Sequence, residues 1–351
     1  MGTSEREWQQ RRAALNSGRD RLGRIATGLY PGVPRVEGTP LMCREGWIPA
    51  APIPLEDVRL EWDADPAPAA VAGPSDGLPR GHRTYAEAMA ALAPPAVFED
   101  RPSYRLIGAA PPVLRFGPAR YFDGVNVGEA VAHELAATAT DDATDGDGDR
   151  DGLPLRERIG DPCDLGQRAA LTAITTLTVT VSGSYVLHWR DPAKVAHAGG
   201  LHQVMPVGVF QPLDGERRDD GHRDLDLWRC MVREYAEELL GAGEDYPPGF
   251  VQDEWPFHRD LTAARASDAV RAYFLGLGVD PLTLALDLLT AVVFEDAAFG
   301  ALFGGLVDVN DEGTVSTAPF DGTVPEPMQP AGAAALRLAW RHRAALGITP
   351  G

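Results

Sequence analysis

The chain has 351 residues, 32 basic and 51 acidic side chains, a formal charge of −19 and 44% hydrophobic residues. That apolar content excludes a disordered chain, and no run approaches the ~18 consecutive apolar residues of a membrane span. The acid excess argues against a protein that grips nucleic acid through its overall field, since phosphate neutralisation needs clustered Lys and Arg.

From the N-terminus, Glu5 to Leu29 reads as one charged helix. Tyr30 to about Pro79 is rich in Pro, Gly and Ala, which suits extended segments lying over a neighbour better than an independent core. A short helix is expected over Thr84 to Leu92, strands over Ser103 to Ile107 and Pro112 to Phe116, and an amphipathic helix from Gly124 to Ala137. Thr138 to Gly152 is a loop of Asp and Gly. The pattern then turns to β over Ala173 to Val181, Ser184 to Arg190 and Leu201 to Phe210. Helices follow at Asp224 to Leu240 and Leu261 to Leu275. Leu284 to Phe294 fits a buried strand or helix, Ala297 to Leu306 a helix, Asp311 to Val315 a turn into a short strand, and Pro330 to Leu346 a final helix. Strands and helices mix without regular βαβ alternation, which points to an α+β fold.

The segment richest in chemistry is Arg233-Glu-Tyr-Ala-Glu-Glu-Leu-Leu-Gly241. At ~100° per residue, Trp228, Val232, Tyr235 and Leu239 share one narrow stripe, while Glu234, Glu237 and Glu238 share a separate arc. Carboxylates stacked at i,i+3 and i,i+4 repel by about 0.2–0.5 kcal/mol per pair unless a cation is shared. A hard, oxygen-seeking ion such as Mg²⁺ or Mn²⁺ suits that arrangement.

These residues resemble the helical half of the Nudix box, with Arg233, Glu234, Tyr235, Glu237 and Glu238 in matching places and the closing Gly241 one position late. Upstream, Pro206, Gly208, Gly215 and Glu216 resemble the turn that opens the box, while Val207 and Gln211 replace a Gly and a Glu. The interval from Glu216 to Arg233 is longer than in the family, so the box is split and partly eroded. The resemblance covers about residues 170–351 and implies a Nudix-like mixed sheet packed between helices. Residues 1–169 then form a Pro-rich elaboration or capping lobe. It further implies Glu237 and Glu238 as metal ligands, Glu234 as a further ligand or as the residue oriented by Arg233, and Glu216 as a peripheral ligand or a positioning residue. The family's activity is Mg²⁺- or Mn²⁺-dependent hydrolysis of nucleotide diphosphate derivatives. The chain is also similar to actinobacterial proteins, some of them regulators. Two alternatives remain: an inactive Nudix-like domain that binds a ligand or partner as a regulatory module, and an interaction protein docking through its Pro-rich first 100 or so residues. The glutamates discriminate, according to whether they converge on an open, water-accessible pocket.

Other motifs are weaker. Asp147, Asp149, Asp151 and Gly152 start like a Ca²⁺ loop, but Arg158 stands where a bidentate Glu is needed. His133-Glu134 lacks the second His of a zincin helix, the position being Ala137. His197 and His202 flank a Gly-rich turn near Lys194 and Arg190, which could contact phosphate in a Nudix-like fold. Cys43, Cys163 and Cys230 fit neither a disulfide framework nor a zinc knuckle, and the acidic neighbours of Cys230 raise its thiol pKa. The charged N-terminus has no apolar signal core, so the expected location is the cytoplasm and neither membrane nor nucleic acid is an expected partner. Lys194 is the single lysine among many arginines, a coding bias of high-GC bacteria.

Overall fold

The computed structural model describes residues 3–95, 97–139, 150–190, 200–213, 224–243, 246–247, 249–304, 306 and 313–349. Ser4 opens helix α1 (Glu5–Ser17), its hydroxyl accepting the Glu7 N–H at 3.2 Å. The single helix expected to reach Leu29 is broken at Gly18, whose N–H folds back onto the Ala14 and Leu15 carbonyls before α2 (Arg19–Gly28) starts. The extended segment contributes β1 (Ile53–Pro54) and β2 (Arg59–Trp62). Helix α3 (Tyr85–Leu92) is capped by the Thr84 hydroxyl. β3 (Pro102–Ala110) and β4 (Val113–Arg120) pair antiparallel, and β2 joins β4 in parallel to make a three-stranded sheet. Helix α4 (Tyr121–Thr138) follows directly, and α5 (Pro154–Ile159) is the next helix among the described residues.

The larger sheet begins with β5 (Thr172–Thr180) and β6 (Ser184–Arg190). The expected strand Leu201 to Phe210 is two short ones, β7 (His202–Val204) on β6 and β8 (Val207–Val209) on β5. Met205-Pro206 separates them, and Pro206 lacks the N–H a continuous ladder needs. Helix α6 (Leu227–Glu234) ends in a π-helical turn, Tyr235–Leu239. Then come α7 (Pro256–Ala266), β9 (Val270–Val279), β10 (Leu286–Phe294), α8 (Asp296–Phe303), β11 (Gly313–Pro319), α9 (Pro330–Arg341) and α10 (Arg343–Leu346). The helix expected over Leu261 to Leu275 is therefore a helix that stops and a strand that starts. Ser267 and Asp268 bond back to Ala263 and Arg265, and Asp268 takes φ +59° to turn the chain into the β-rich Val270–Val279.

The main path of this eight-stranded sheet runs β1-β9-β10-β5-β6-β11, with β8 also on β5 and β7 on β6. β5 and β10 are parallel, and the other pairs are antiparallel. The fold is thus α+β with a mixed sheet. β1 belongs to the proline-rich stretch yet supplies an edge strand to this sheet, and one apolar cluster runs from Trp8 to Ile348.

Strand alternation sorts β5 and β10 into two faces. On one, the Thr178 hydroxyl meets the Tyr235 hydroxyl at 2.8 Å, and Tyr235 stands edge-on to Phe294, seating α6. The other presents Ala173 and Asp287 to a cavity that the first turn of α9 also lines.

Candidate functional site

The α6 helix starts where Asp226 accepts the Arg229 N–H, a side-chain cap for an otherwise orphan donor. Its apolar stripe is buried as the spacing requires: Trp228, Val232, Tyr235 and Leu239 lie against the sheet and neighbouring helices. Glu234, Glu237 and Glu238 are half-buried at the other side of the helix. Arg233 is buried, and its guanidinium donates to the Gln252 side chain at 3.0 Å and to the Gln211 carbonyl at 2.8 Å. It therefore ties α6 to the segment after β8.

Each glutamate has a defined place. An added Cβ on Gly208 would lie 1.8 Å from the Glu234 Cδ, so only glycine lets β8 approach that carboxylate. The Val207 N–H donates to Glu238 Oε2 at 3.2 Å, and the Tyr246 hydroxyl donates to Glu237 Oε1 at 2.9 Å. Burial raises the Tyr246 phenol pKa, and the adjacent Glu237 raises it further. The Cys230 thiol is pushed up to about 12, chiefly by burial and only secondarily by Glu234 and Glu237. The acidic neighbours are thus the lesser cause.

Carboxylate oxygens are the right donor type for Mg²⁺ or Mn²⁺. Among the described residues, however, no three or more His, Cys, Asp or Glu side chains gather to hold a metal ion. Two of the three helix glutamates each direct an oxygen at a protein donor. Each of those carboxylates keeps further lone pairs beyond the one bonded. Glu216 lies outside the described residues, as do Gly215, Lys194, His197, Asp147, Asp149 and the start of the Asp311 turn.

Across β8 from the glutamates lies a cavity of about 410 Å³. Gly208 turns toward Glu234, while Val207 and Val209 line the cavity, the alternation expected of a strand. The N-terminal region supplies part of the wall through α2 and α4, and β5, β6, β7, β8, β10, α9 and the segments leading into β5 and β10 line it as well. Asp287, 8% exposed, sits on this wall and accepts the Thr175 hydroxyl at 2.8 Å. Burial lifts its carboxyl to about 7. The sequence signal was a single acid inside the apolar run Leu286 to Phe294, which strand-or-helix ambiguity left unexploited.

The remaining motifs have structural partners. His133 Nδ1 pairs with the Tyr85 hydroxyl at 3.0 Å, and Glu134 accepts the Leu155 and Arg156 N–H groups at the start of α5. His202 packs on Trp189, and Arg190 lines the cavity. Cys43, Cys163 and Cys230 are free thiols, all buried. No helix among the described residues is long and apolar enough to cross a membrane. In comparisons with known proteins, the chain matches no family model and no curated protein.

Proposed function

We propose that the chain is a ligand-binding regulatory module on a Nudix-like domain, taking a small organic molecule into the cavity between the N-terminal helices and the sheet. The observation that carries this reading is the cavity itself. Its ~410 Å³ falls in the 300–1,000 Å³ range of small-molecule sites, and its apolar walls with a few polar groups match their chemistry. The test is a thermal-shift panel of nucleosides, nucleotides and amino acids on the wild type and on Val209→Trp, which fills the cavity from β8. A true ligand at 100 times its Kd adds about 2.7 kcal/mol of stability, and that gain should vanish in Val209→Trp. A panel without any shift, or shifts equal in both proteins, removes this reading.

A second reading, hydrolysis of a nucleotide diphosphate derivative, draws on the glycine-backed approach of Glu234 to β8 beside Glu237 and Glu238. Calorimetry with Mg²⁺ and Mn²⁺ on wild type and Glu237→Gln/Glu238→Gln decides it. Binding lost in the double variant, with turnover of a nucleotide diphosphate, supports hydrolysis. Identical isotherms without turnover leave the glutamates as a structural contact between α6 and β8.

A further inference from the structure

Asp287 occupies an unusual position for a carboxyl. It stands at the second residue of β10, opposite Ala173 of β5, on a wall otherwise rich in Val and Leu. Its bonded partner is the Thr175 hydroxyl, and the charged neighbour that influences it is another acid, Asp280. Among the described residues no cation compensates it, although a buried carboxylate ordinarily has one. A second polar group is also unmet: Thr172, another lining residue, is 1% exposed and its hydroxyl has no hydrogen-bond partner.

The arginines around the cavity are engaged elsewhere. Arg19 binds Glu129 at 2.8 Å and Arg24 binds Asp20 at 3.2 Å. Arg168 donates to the Leu284 and Pro162 carbonyls, and Arg190 also has a partner. Asp287 differs from them in offering the cavity a carboxylate with no cation beside it among the described residues. Resting on the cavity reading above, we infer that Asp287 is its recognition carboxyl and takes a planar ligand edge with two adjacent N–H donors, as in an amidine or a 2-aminopyrimidinone ring. Two parallel N–H bonds to a carboxylate are strong and directional. The apolar walls would cover the flat faces of the same group.

The raised pKa adds a signature. A donor edge prefers the ionised carboxylate, so affinity should climb as pH rises through 7 and level off above it. The probes are guanosine and benzamidine, with inosine and benzamide as controls that each lack one of the two donors. Binding is read by calorimetry on wild type, Asp287→Asn and Val209→Trp between pH 5.5 and 8.5. The expected result is that a donor-pair probe binds wild type at least tenfold more tightly than its control. Asp287→Asn, nearly isosteric, should lose at least tenfold and lose the pH dependence. Equal affinity in wild type and Asp287→Asn overturns the role of Asp287; if Val209→Trp still abolishes that binding, the cavity reading survives. Binding of neither probe to wild type also overturns the donor-pair inference, and the broader panel then judges the cavity alone. Should Asp287→Asn fail to fold, Thr175→Val tests the same carboxyl through the hydroxyl bonded to it. Unchanged affinity and pH profile in that variant would count against the inference.

Discussion

The Asp287 carboxyl is pushed from its ordinary value of 3.8 to about 7 by burial, with Asp280 adding to the rise and the Thr175 hydroxyl opposing it. His133 is shifted the other way, from 6.5 to about 4, by burial and then by the positive charges of Arg12 and Arg11. Between pH 3.8 and 7 the folded state holds a proton on Asp287 that the unfolded chain has released, so this group lowers stability as pH rises. Between pH 6.5 and 4 the unfolded chain protonates its histidine and the folded state does not, so His133 lowers stability as pH falls. The two slopes oppose each other near pH 5–6. Replacing Asp287 by Asn removes one of them. Asp287→Asn should gain on wild type steadily from pH 4 to pH 8, by a total on the order of 4 kcal/mol at 1.36 kcal/mol per pKa unit. Urea denaturation of both proteins across that range measures the difference. A gap that stays constant with pH would show that Asp287 titrates normally.

At the level of elements, legibility followed the range of the interactions involved. The α6 helix was readable because its stripe and its acidic arc are set by a local period of 3.6, and the α+β class was readable from the alternating β segments after Ala173. The boundary between α7 and β9 was not, since Leu261 to Leu275 is apolar enough for either state and the break rests on one positive-φ residue, Asp268. The break at Gly18 was visible as a residue type but weak as a signal, because an isolated Gly inside a helical pattern is tolerated at ~1 kcal/mol. The glutamates of the candidate site could be named from spacing alone. The partners of these glutamates and of Arg233 could not: Val207 is 31 positions from Glu238, and Gln252 is 19 from Arg233. Asp287 and the cavity were the least legible, because their walls come from α2, α4, five strands and α9, which only tertiary packing brings together.

For the molecule as a whole, the cavity's N-terminal wall depends on one buried charge. Glu129 of α4 lies between Arg12 of α1 and Arg19 of α2, each of the three under 10% exposed. The Tyr85 hydroxyl of α3 adds a contact to Arg12 at 3.4 Å and one to His133 of α4. Four helices thus meet at a single ionic hub, and two of its members, Arg19 and Glu129, also line the cavity. Breaking a buried ion pair by removing one partner costs about 3–5 kcal/mol, because the charge left behind is neither solvated nor compensated. Glu129→Gln takes the carboxylate charge away from both guanidinium groups. It should therefore lose about 3–5 kcal/mol and raise amide exchange in α1 and α2 more than in β5 and β10, which the sheet holds independently. Denaturation with exchange mass spectrometry measures both. Replacing all three residues together, Arg12→Leu/Glu129→Met/Arg19→Leu, should recover most of the loss, since no charge is then stranded. If Glu129→Gln costs under 1 kcal/mol, or if exchange rises equally in sheet and helices, the hub does not hold this wall. The cavity's N-terminal wall must then rest on the apolar packing of α2 and α4.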